Sequence, residues 1–548
     1  MDKLPIFPVT VKGGSVYVEL PRGATPDSLR KGVKPHLCSA KASDSRHFVV
    51  LGAGPAGLAA VEALRDNGYT GRLTMLNREA GAPYDRTMLS KNMGVEEGKA
   101  QLRSKQWLED QAGVTLLTGV RVTAVETGPR RVHYTSSSGQ ACTLEYTALL
   151  CATGGPARTF RADAAEPGPP PIPGAELAGI FPLRTLQHAQ GLLAAASAAI
   201  EANAPIVVQG GSFIGMETAA YLKSSPNDAQ DITVVDMFAV PFERTLGARL
   251  GQFMKGWHES KGVKFKMSSV VKSFTGGAAG QVTGVSVAPF VPGPPNPAAP
   301  PPEATVLPAA VVVVGGGIVP AIDYLQGAEG VALVKGPPGG VEVDEFQRTG
   351  NPFVYAAGDI AHIPLRHAAQ PGQKWRIEHY NVAMDQGRTA ALNMLAHHPA
   401  PGSHSAPAPK PYLAVPFFWT QMYGKYLRCA GFCKQPDAVV VQGRMLSEGN
   451  IGSSCFLAFY IVKGKVEALM SFNEASPQAA AAQELIRLDR MPAVKDIVEG
   501  EAMINLADVL HAVRERVGGG EGMQGGGGAA SSSSSSRGGG RERQGSSM

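Results

Sequence analysis

Two glycine-rich turns, each placed between an apolar strand and a helix, constrain the fold of this chain more than any other feature. The first lies in HFVVLGAGPAGLAAVEALR (residues 47–65) and the second in APIVVQGGSFIGMETAAYL (residues 204–222). Glycine lets backbone N–H groups approach a pyrophosphate closely at the positive end of a helix dipole. Two such turns, about 160 residues apart, predict two dinucleotides held against each other so that electrons can pass between them.

The composition is that of an ordinary globular protein and excludes several classes. Hydrophobic residues make up 44% of the 548 positions, and a net charge of +5 gives no support for a nucleic-acid partner. Six scattered cysteines lack disulfide or zinc spacing, which is typical of a reducing compartment and predicts no metal site. With no signal sequence and no apolar run of about 20 residues, we expect a soluble cytoplasmic protein, with a mitochondrial location as the alternative.

The first turn is complete. It consists of Gly52, Gly54 and Gly57, with Pro55 at the helix start, where a missing N–H costs nothing. Glu79 lies just past the next strand, where a carboxylate can accept the hydroxyls of a ribose. Its spacing of 27 from Gly52 is long, and the DNGYTG loop can absorb the difference. The alternative is a glycine-rich helix N-terminus without a ligand.

The second turn departs from the pattern. Gly210 and Gly215 fit, but Ser212 replaces the middle glycine, with Gly211 beside it. A serine at the closest approach could crowd a pyrophosphate or donate a hydrogen bond to it. Asp236 ends the next strand, where a carboxylate favours the 2′-hydroxyl of NADH and repels the 2′-phosphate of NADPH. The alternative is a degenerate site that keeps only its packing.

Further segments resemble a known family. Ferredoxin-reductase-type flavoproteins have a flavin-contacting segment similar to APYDRTMLSK (residues 82–91), and FAD fingerprints similar to LLCATGGPAR and VYAAGDI. The segments FPLRT, PFERTLGARLG, IEHYNVAMDQGRTAALNM and VPFFWTQMYGKYLRCAG resemble the apoptosis-inducing-factor group, in its form related to Rieske-type ferredoxin reductases. The similarity covers about residues 45–510. It implies an α/β fold with two interleaved doubly wound (Rossmann-like) nucleotide-binding domains and a C-terminal α+β domain.

The resemblance also implies a catalytic pair and a set of cofactor contacts. Lys91 resembles the family lysine that pairs with a glutamate of the second turn, here Glu217, beside the flavin N5. The implied FAD contacts are Gly52, Gly54, Pro55, Ala56, Gly57, Glu79, Arg86, Lys91, Val122, Ala152, Thr153, Gly154, Arg184, Gly358, Asp359, Glu378, His379 and Trp419. The implied NAD(H) contacts are Gly210, Ser212, Phe213, Ile214, Gly215, Glu217, Asp236, Gly315 and Gly316. For Trp419 a place in the hydrophobic core is an equal alternative, and for each lone charge the alternative is a solvated surface position.

Shifts in composition and this resemblance together divide the chain into six parts. We predict a residual β segment and linker (1–44), the first part of the FAD-binding domain (45–174), the NAD-binding domain (175–319), the second part of the FAD-binding domain (320–411), the C-terminal α+β domain (412–517) and a disordered Gly/Ser tail (518–548).

Two features of related proteins are missing from the sequence. Glutathione-reductase relatives carry a CxxxxC dithiol after the first turn, whereas Cys429 and Cys433 lie in the C-terminal β segment and are interpreted as core thiols. FPVTVKGGSVYVELP (residues 7–21) resembles the last strands of a Rieske domain, but the CxH and CxxH pairs that ligate its cluster are absent, since His36 and Cys38 stand in the wrong order. We expect no iron–sulfur cluster in this chain and no intact Rieske domain; an unrelated hairpin is the alternative.

The sequence therefore predicts an FAD-dependent NADH oxidoreductase. NADH, rather than NADPH, would bind at the Gly210 turn and pass hydride to FAD at the Gly52 turn. The flavin would then give electrons to an iron–sulfur protein or a quinone-like acceptor. The alternatives are a cell-death signalling flavoprotein in which redox turnover is secondary, and an FAD-binding protein with a degenerate NADH site.

Overall fold

The computed structural model describes residues 9–12, 15–20, 23, 25, 37–161, 171–293, 302–336, 339–366, 372–403, 406–473, 476–500 and 504. The Gly/Ser tail predicted for residues 518–548 lies outside this part of the chain. No helix among the described residues is both long enough and apolar enough to cross a membrane.

The first third of the chain contains β1 (Val9–Lys12), β2 (Ser15–Val18), β3 (His47–Leu51), α1 (Pro55–Asp66), β4 (Arg72–Asn77), α2 (Glu97–Ala100), β5 (Thr115–Thr118), β6 (Arg121–Glu126), β7 (Arg131–Thr135), β8 (Ala141–Glu145) and β9 (Ala148–Cys151). The middle contains β10 (Ile180–Pro182), α3 (Leu186–Glu201), β11 (Ile206–Gln209), α4 (Phe213–Leu222), β12 (Ile232–Val235), α5 (Glu243–Glu259), β13 (Val263–Lys266), β14 (Ser269–Gly276), β15 (Val282–Pro289), β16 (Thr305–Pro308) and β17 (Val311–Val314).

The last part contains β18 (Leu333–Val334), β19 (Gly340–Glu342), β20 (Val354–Ala356), β21 (Ala361–Pro364), β22 (Lys374–Trp375), α6 (Tyr380–His397), β23 (Phe417–Met422), β24 (Lys425–Gly431), β25 (Ala438–Arg444), β26 (Cys455–Val462), β27 (Lys465–Phe472), α7 (Ser476–Leu488) and α8 (Val494–Val498).

Two parallel five-stranded sheets form the centre of the molecule. The first has the order β20-β9-β3-β4-β5 and the second β10-β17-β11-β12-β13. Strands such as β3 and β9 are apolar and buried along their length, which is typical of parallel strands covered on both faces. Since β20 comes from far beyond the second sheet in sequence and pairs with β9, the two nucleotide-binding units are interleaved. The predicted fold class is confirmed in this respect.

The C-terminal part is a separate antiparallel sheet covered by a helix. Its strand order is β23-β24-β27-β26-β25. Phe459 and Leu469 of the sheet share a buried cluster with Ala482 and Leu485 of α7, so that the helix covers one face. This is the α+β domain that the sequence predicts.

A short segment ahead of β3 is attached to the first unit. The backbone N–H of Cys38 donates to the carbonyl of Arg65 at 3.2 Å, and that of Lys41 to Thr70 at 2.8 Å. The exact domain boundaries nevertheless stay a prediction. Strands β1 and β2 pair antiparallel, which both interpretations of the N-terminal segment allow.

Candidate active site

A cavity of about 1210 Å³ opens at the carboxyl ends of β3, β9 and β20. This is the edge of a doubly wound sheet where ligands bind. The start of α4 and strand β23 close its other side. Its lining includes most of the predicted site residues: Gly52, Gly54, Pro55, Ala56, Glu79, Arg86, Lys91, Val122, Ala152, Thr153, Gly154, Arg184, Phe213, Ile214, Glu217, Gly358, Asp359, Glu378, His379 and Trp419.

The first turn owes its shape to close backbone contacts. Gly52 has a φ of +104°, and a Cβ there would lie 2.3 Å from the carbonyl oxygen of Ala152. A Cβ on Gly57 would lie 2.0 Å from the carbonyl oxygen of Gly52, so Gly57 is a packing residue beneath the turn. A Cβ on Gly54 would meet nothing within 4 Å. Gly54 therefore leaves open the space in front of the N-terminus of α1, where a pyrophosphate would be favoured.

One end of the cavity carries a linked group of polar side chains. Arg86 forms an ion pair with Glu79 and donates to the hydroxyl of Tyr84 at 2.7 Å. That hydroxyl in turn donates to Glu79 at 2.6 Å, and burial raises the pKa of Tyr84. Arg86 also donates to the carbonyl of Arg184 at 2.8 Å, which ties this group to the segment before α3.

The Gly-Asp turn after β20 also lines the cavity. Asp359 pairs with Arg184 at 3.2 Å, and the N–H of Gly358 donates to the buried side chain of Gln386 at 2.7 Å. Arg376 donates to the carbonyl of Asp359 at 2.8 Å and forms an ion pair with Glu378 at 2.7 Å. Burial raises the pKa of Glu378 despite that pair. These contacts hold the Asp359 carboxylate at the cavity wall.

The predicted pair of Lys91 and Glu217 is formed. Lys91 Nζ lies 2.7 Å from Glu217 Oε2, and only 5% of the Glu217 side chain is exposed. Two hydroxyls also donate to this carboxylate, one from Ser90 and one from Thr420. The structure thus brings together three parts of the chain that are distant in sequence.

Aromatic rings and a neutral imidazole line the wall next to this pair. His379 lies 4.4 Å from Phe418 and 6.4 Å from Phe213, measured between ring centroids. Burial lowers the pKa of His379 to about 4, which makes the ring neutral at pH 7. Trp419 is 42% exposed and lies under Lys91, with Nζ 5.6 Å from the ring centroid. Trp419 is therefore not a core residue, and the core alternative is wrong.

The second turn repeats the construction of the first. A Cβ on Gly215 would lie 1.9 Å from the carbonyl oxygen of Gly210, as at the equivalent pair in the first turn. Ser212 is the N-cap residue of α4, but its side chain makes no capping hydrogen bond. The Asp236 carboxylate accepts hydrogen bonds from the N–H groups of Gly211 and Phe238. This carboxylate stabilises the turn itself.

Apart from Gly57, which lies beneath the first turn, the remaining predicted residues lie around that second turn rather than in the cavity wall. A Cβ on Gly210 would lie 2.5 Å from the carbonyl oxygen of Gly315, so the two backbones touch. Gly316 lies next to the side chains of Gln209 and Arg158. The cavity lining excludes Gly57, Gly210, Ser212, Gly215, Asp236, Gly315 and Gly316. Of this second set only Phe213, Ile214 and Glu217 reach the cavity.

Sequence reasoning missed several residues of the site. Ser90 is the neighbour of Lys91 in the LSK segment, and Thr420 follows Trp419, so both stood inside recognised segments without any pattern marking their contact. Gln386 had no local signal either, because its role depends on how α6 meets the turn after β20.

Comparison with known proteins identifies the family. The sequence profile of the pyridine nucleotide-disulphide oxidoreductases matches residues 46–387, which is more than half of the chain. The chain belongs to this family. Human apoptosis-inducing factor 3 is 31% identical over 475 residues, covering 86% of this chain and 69% of that protein. The ferredoxin–NAD(+) reductase component of the biphenyl dioxygenase system of Paraburkholderia xenovorans is 30% identical, covering 80% and 92%.

A solved structure shares the fold. The ferredoxin reductase from Rhodopseudomonas palustris superimposes with a TM-score of 0.68 at 24% identity, covering 85% of this chain and all of that one. The predicted resemblance and the predicted oxidoreductase class are thereby confirmed. Membership of the family implies that FAD and NAD(H) bind.

The residues of the cavity fit an FAD molecule. The open space at Gly54 suits a pyrophosphate, and carboxylates at Glu79 and Asp359 suit the hydroxyls of ribose and ribityl chains. Two ring nitrogens in the wall, Nδ1 of His188 and of His379, are buried without a hydrogen-bond partner among the described residues. A bound polar ligand would supply such partners.

Proposed function

We propose that this chain is an NADH-dependent reductase that passes electrons through FAD to an iron–sulfur protein of the ferredoxin type. One observation carries the proposal: the cavity is lined both by the first turn and by Phe213 and Ile214, which open the helix after the second turn. A nucleotide held at each turn would therefore meet the other in one cavity, next to Lys91 and Glu217.

The three parts of the chain around the cavity are proposed to have different roles. We propose that residues 45–174 and 320–411 hold FAD, that residues 175–319 hold NADH, and that residues 412–517 close the cavity. FAD, when bound, supplies the exchange of two electrons with a nicotinamide and of single electrons with an iron–sulfur centre. The protein binds and orients it: the N-terminus of α1 faces the pyrophosphate, Asp359 accepts from the ribityl chain, and Lys91 places its charge at the flavin edge.

The coenzyme is proposed to be NADH rather than NADPH. Asp236 lies at the carboxyl end of β12, the position from which a carboxylate contacts the adenosine ribose. Its charge repels a 2′-phosphate. The hydrogen bonds from Gly211 and Phe238 hold this carboxylate in a single orientation beside the turn.

The acceptor is proposed to approach at Trp419. No cysteine occurs in α1, so the sequence offers no dithiol there to take electrons from the flavin. Trp419 is exposed and contacts Lys91 of the catalytic pair. The relative from Paraburkholderia xenovorans is named a ferredoxin–NAD(+) reductase component, which supports an iron–sulfur protein as the partner. A quinone-like acceptor, a cell-death signalling role and an FAD protein with a degenerate second turn remain the alternatives.

Anaerobic reduction tests the proposal. The protein is purified, saturated with FAD and mixed with NADH or NADPH without oxygen while the flavin absorbance near 450 nm is followed. We expect rapid bleaching by NADH, at least tenfold slower bleaching by NADPH, and reoxidation by a plant- or bacterial-type ferredoxin. Bound flavin that neither coenzyme bleaches would leave an FAD-binding protein without NADH turnover. Reoxidation by a soluble quinone but by no ferredoxin would refute the proposed partner.

A further inference from the structure

A buried carboxylate joins three parts of the molecule beside the cavity. Glu217 comes from α4 of the NAD-binding unit, Ser90 and Lys91 from the segment that follows β4, and Thr420 from β23 of the C-terminal sheet. The Glu217 carboxylate accepts hydrogen bonds from the hydroxyls of Ser90 and Thr420 and forms an ion pair with Lys91. The pair of Lys91 and Glu217 is thus part of a larger constellation.

Each oxygen of this carboxylate has its own set of partners. Oε2 meets the ammonium of Lys91 and the hydroxyl of Ser90. Oε1 accepts from the Thr420 hydroxyl at 2.5 Å, the one hydrogen bond that the described residues give this oxygen. Thr420 is completely buried, so water has no access to replace its hydroxyl.

The strand that carries Thr420 determines which way its hydroxyl points. Residues directly opposite each other in an antiparallel pair share a face. Trp419 pairs with the partly exposed Arg428 on the face of the sheet that α7 covers elsewhere, whereas Thr420 pairs with the buried Leu427 on the face toward α4. The side chains of Thr420 and Trp419 therefore point to opposite faces of the same sheet. Thr420 contacts the Glu217 carboxylate, whereas Trp419 lies at the mouth of the cavity.

A buried carboxylate that lacks a hydrogen-bond partner is destabilised, because the free energy lost on desolvation is not offset by a new contact. Without the Thr420 hydroxyl, Glu217 would turn Oε1 toward the nearest remaining donors, which are those of Lys91 and Ser90. Lys91 would follow its partner and leave its place above Trp419. The Lys91 ammonium and the Thr420 hydroxyl are thus linked through the two oxygens of one carboxylate.

We propose that Thr420, assisted by Ser90, is a positioning residue that orients Glu217 and through it holds Lys91 at the flavin edge of the cavity. The C-terminal sheet thereby controls reduction of the flavin as well as closing the cavity. This inference rests on the proposed function, because it concerns the same site.

Three variants test it. Thr420→Val keeps the shape and removes the donor, Thr420→Ser keeps the donor, and Ser471→Ala is a matched control. Ser471 is a fully buried serine on β27, two strands away from β23 in the same sheet, and its hydroxyl has no hydrogen-bond partner within the described part of the chain. For each protein we would measure FAD affinity, the flavin midpoint potential with a chemical reductant, and the rate of flavin reduction by NADH.

For Thr420→Val we expect flavin reduction about tenfold slower, a lower midpoint potential and FAD affinity within about twofold of wild type, because Lys91 no longer stabilises negative charge at the flavin edge. Thr420→Ser should restore both the rate and the potential, and Ser471→Ala should change neither. Equal behaviour of the valine and serine variants, or an equal loss in Ser471→Ala, would overturn the inference.

Two further comparisons keep the test decisive. If Thr420→Val yields no folded protein, the same test is made at Glu217 Oε2, to which the Ser90 hydroxyl donates. We then expect Ser90→Ala to slow flavin reduction and lower the midpoint potential, and Ser90→Thr to restore both. Equal behaviour of these two variants would overturn the inference. The midpoint potential is obtained without NADH. A wild-type protein that binds FAD but is not reduced by NADH would therefore refute the proposed function, while the potentials of the variants would still decide the positioning role of Thr420.

Discussion

A Cβ placed on Gly387 would lie 2.0 Å from the carbonyl oxygen of Ala56. Ala56 belongs to the first turn of α1, two residues after the Gly54 position that faces the cavity, and Gly387 lies in the middle of α6. The two helices therefore meet backbone to backbone beneath the site. Gly358 takes part in the same contact, because a Cβ there would lie 3.2 Å from that of Ala56.

We predict that Gly387→Ala impairs FAD binding. The added methyl group can be accommodated only if α1 and α6 separate, and overpacking of this kind costs about 1–3 kcal/mol or more. The displacement falls on the turn that faces the pyrophosphate. We expect at least a tenfold loss of FAD affinity, measured by flavin fluorescence. Gly98→Ala is the matched control: Gly98 is also helical, and its Cβ would meet nothing within 4 Å. An unchanged affinity in Gly387→Ala would contradict the prediction.

The sequence predicted what depends on local pattern. An apolar strand, a glycine turn and a helix follow one another within about 20 residues, so both turns and both parallel sheets could be inferred. The pairing of Lys91 with Glu217 came from family resemblance and is formed. The contact of Thr420 with Glu217 could not be inferred, because it arises only where parts of the chain that are distant in sequence meet.

Two other features escaped prediction for physical reasons. Asp236 was expected to face a ribose, and nothing in the pattern shows that so short a side chain also accepts from the N–H of Gly211. The sequence did not decide whether Trp419 lies in the core or at the flavin site. The alternating side-chain directions along β23 do not show which face of the sheet packs on α4. Both answers depend on tertiary packing.

The effects of substituting Lys91 and Glu217 on the free energy of unfolding should depend strongly on each other. Lys91→Met leaves a buried carboxylate without its counter-charge, which costs about 3 kcal/mol or more of the free energy of unfolding. Glu217→Gln in the same chain removes that uncompensated charge. We therefore expect the double variant to be less destabilised than the sum of the two single variants by at least about 1 kcal/mol, measured by urea unfolding. Strict additivity would show that the two charges do not depend on each other.

Stability should fall in acid because of His258. This side chain is fully buried where α5 meets the turn between β23 and β24, with Nδ1 2.9 Å from the hydroxyl of Tyr423. Burial lowers its pKa to about 3, whereas an unfolded histidine has a pKa of about 6.5. Between these values the unfolded state binds a proton that the folded state does not. The contribution of His258 is thus present above pH 6.5 and is lost, at about 1.4 kcal/mol per pH unit, as the pH falls toward 3.

Urea unfolding at pH 8.5, 7.5, 6 and 5 would check this. The glutamine of His258→Gln does not titrate, so the free energy of unfolding of this variant should depend less steeply on pH below 6.5 than that of wild type. Between pH 7.5 and 8.5 the two proteins should show the same dependence on pH. Parallel curves for the two proteins below pH 6.5 would show that another group is responsible. His379, whose pKa burial lowers to about 4, adds to the acid sensitivity of both proteins equally.

Ser212 should weaken the binding of NADH at the second turn. It occupies the position that Gly54 holds in the first turn, where a Cβ would project into open space in front of a helix N-terminus. The side chain of Ser212 makes no capping hydrogen bond, so its removal costs α4 little. We expect Ser212→Gly to lower the KM for NADH about threefold with kcat unchanged, because the backbone can then approach the pyrophosphate more closely. A rise in KM would mean instead that the hydroxyl donates to the coenzyme. The reverse change in the first turn, Gly54→Ser, should weaken FAD binding by a similar factor, measured by flavin fluorescence.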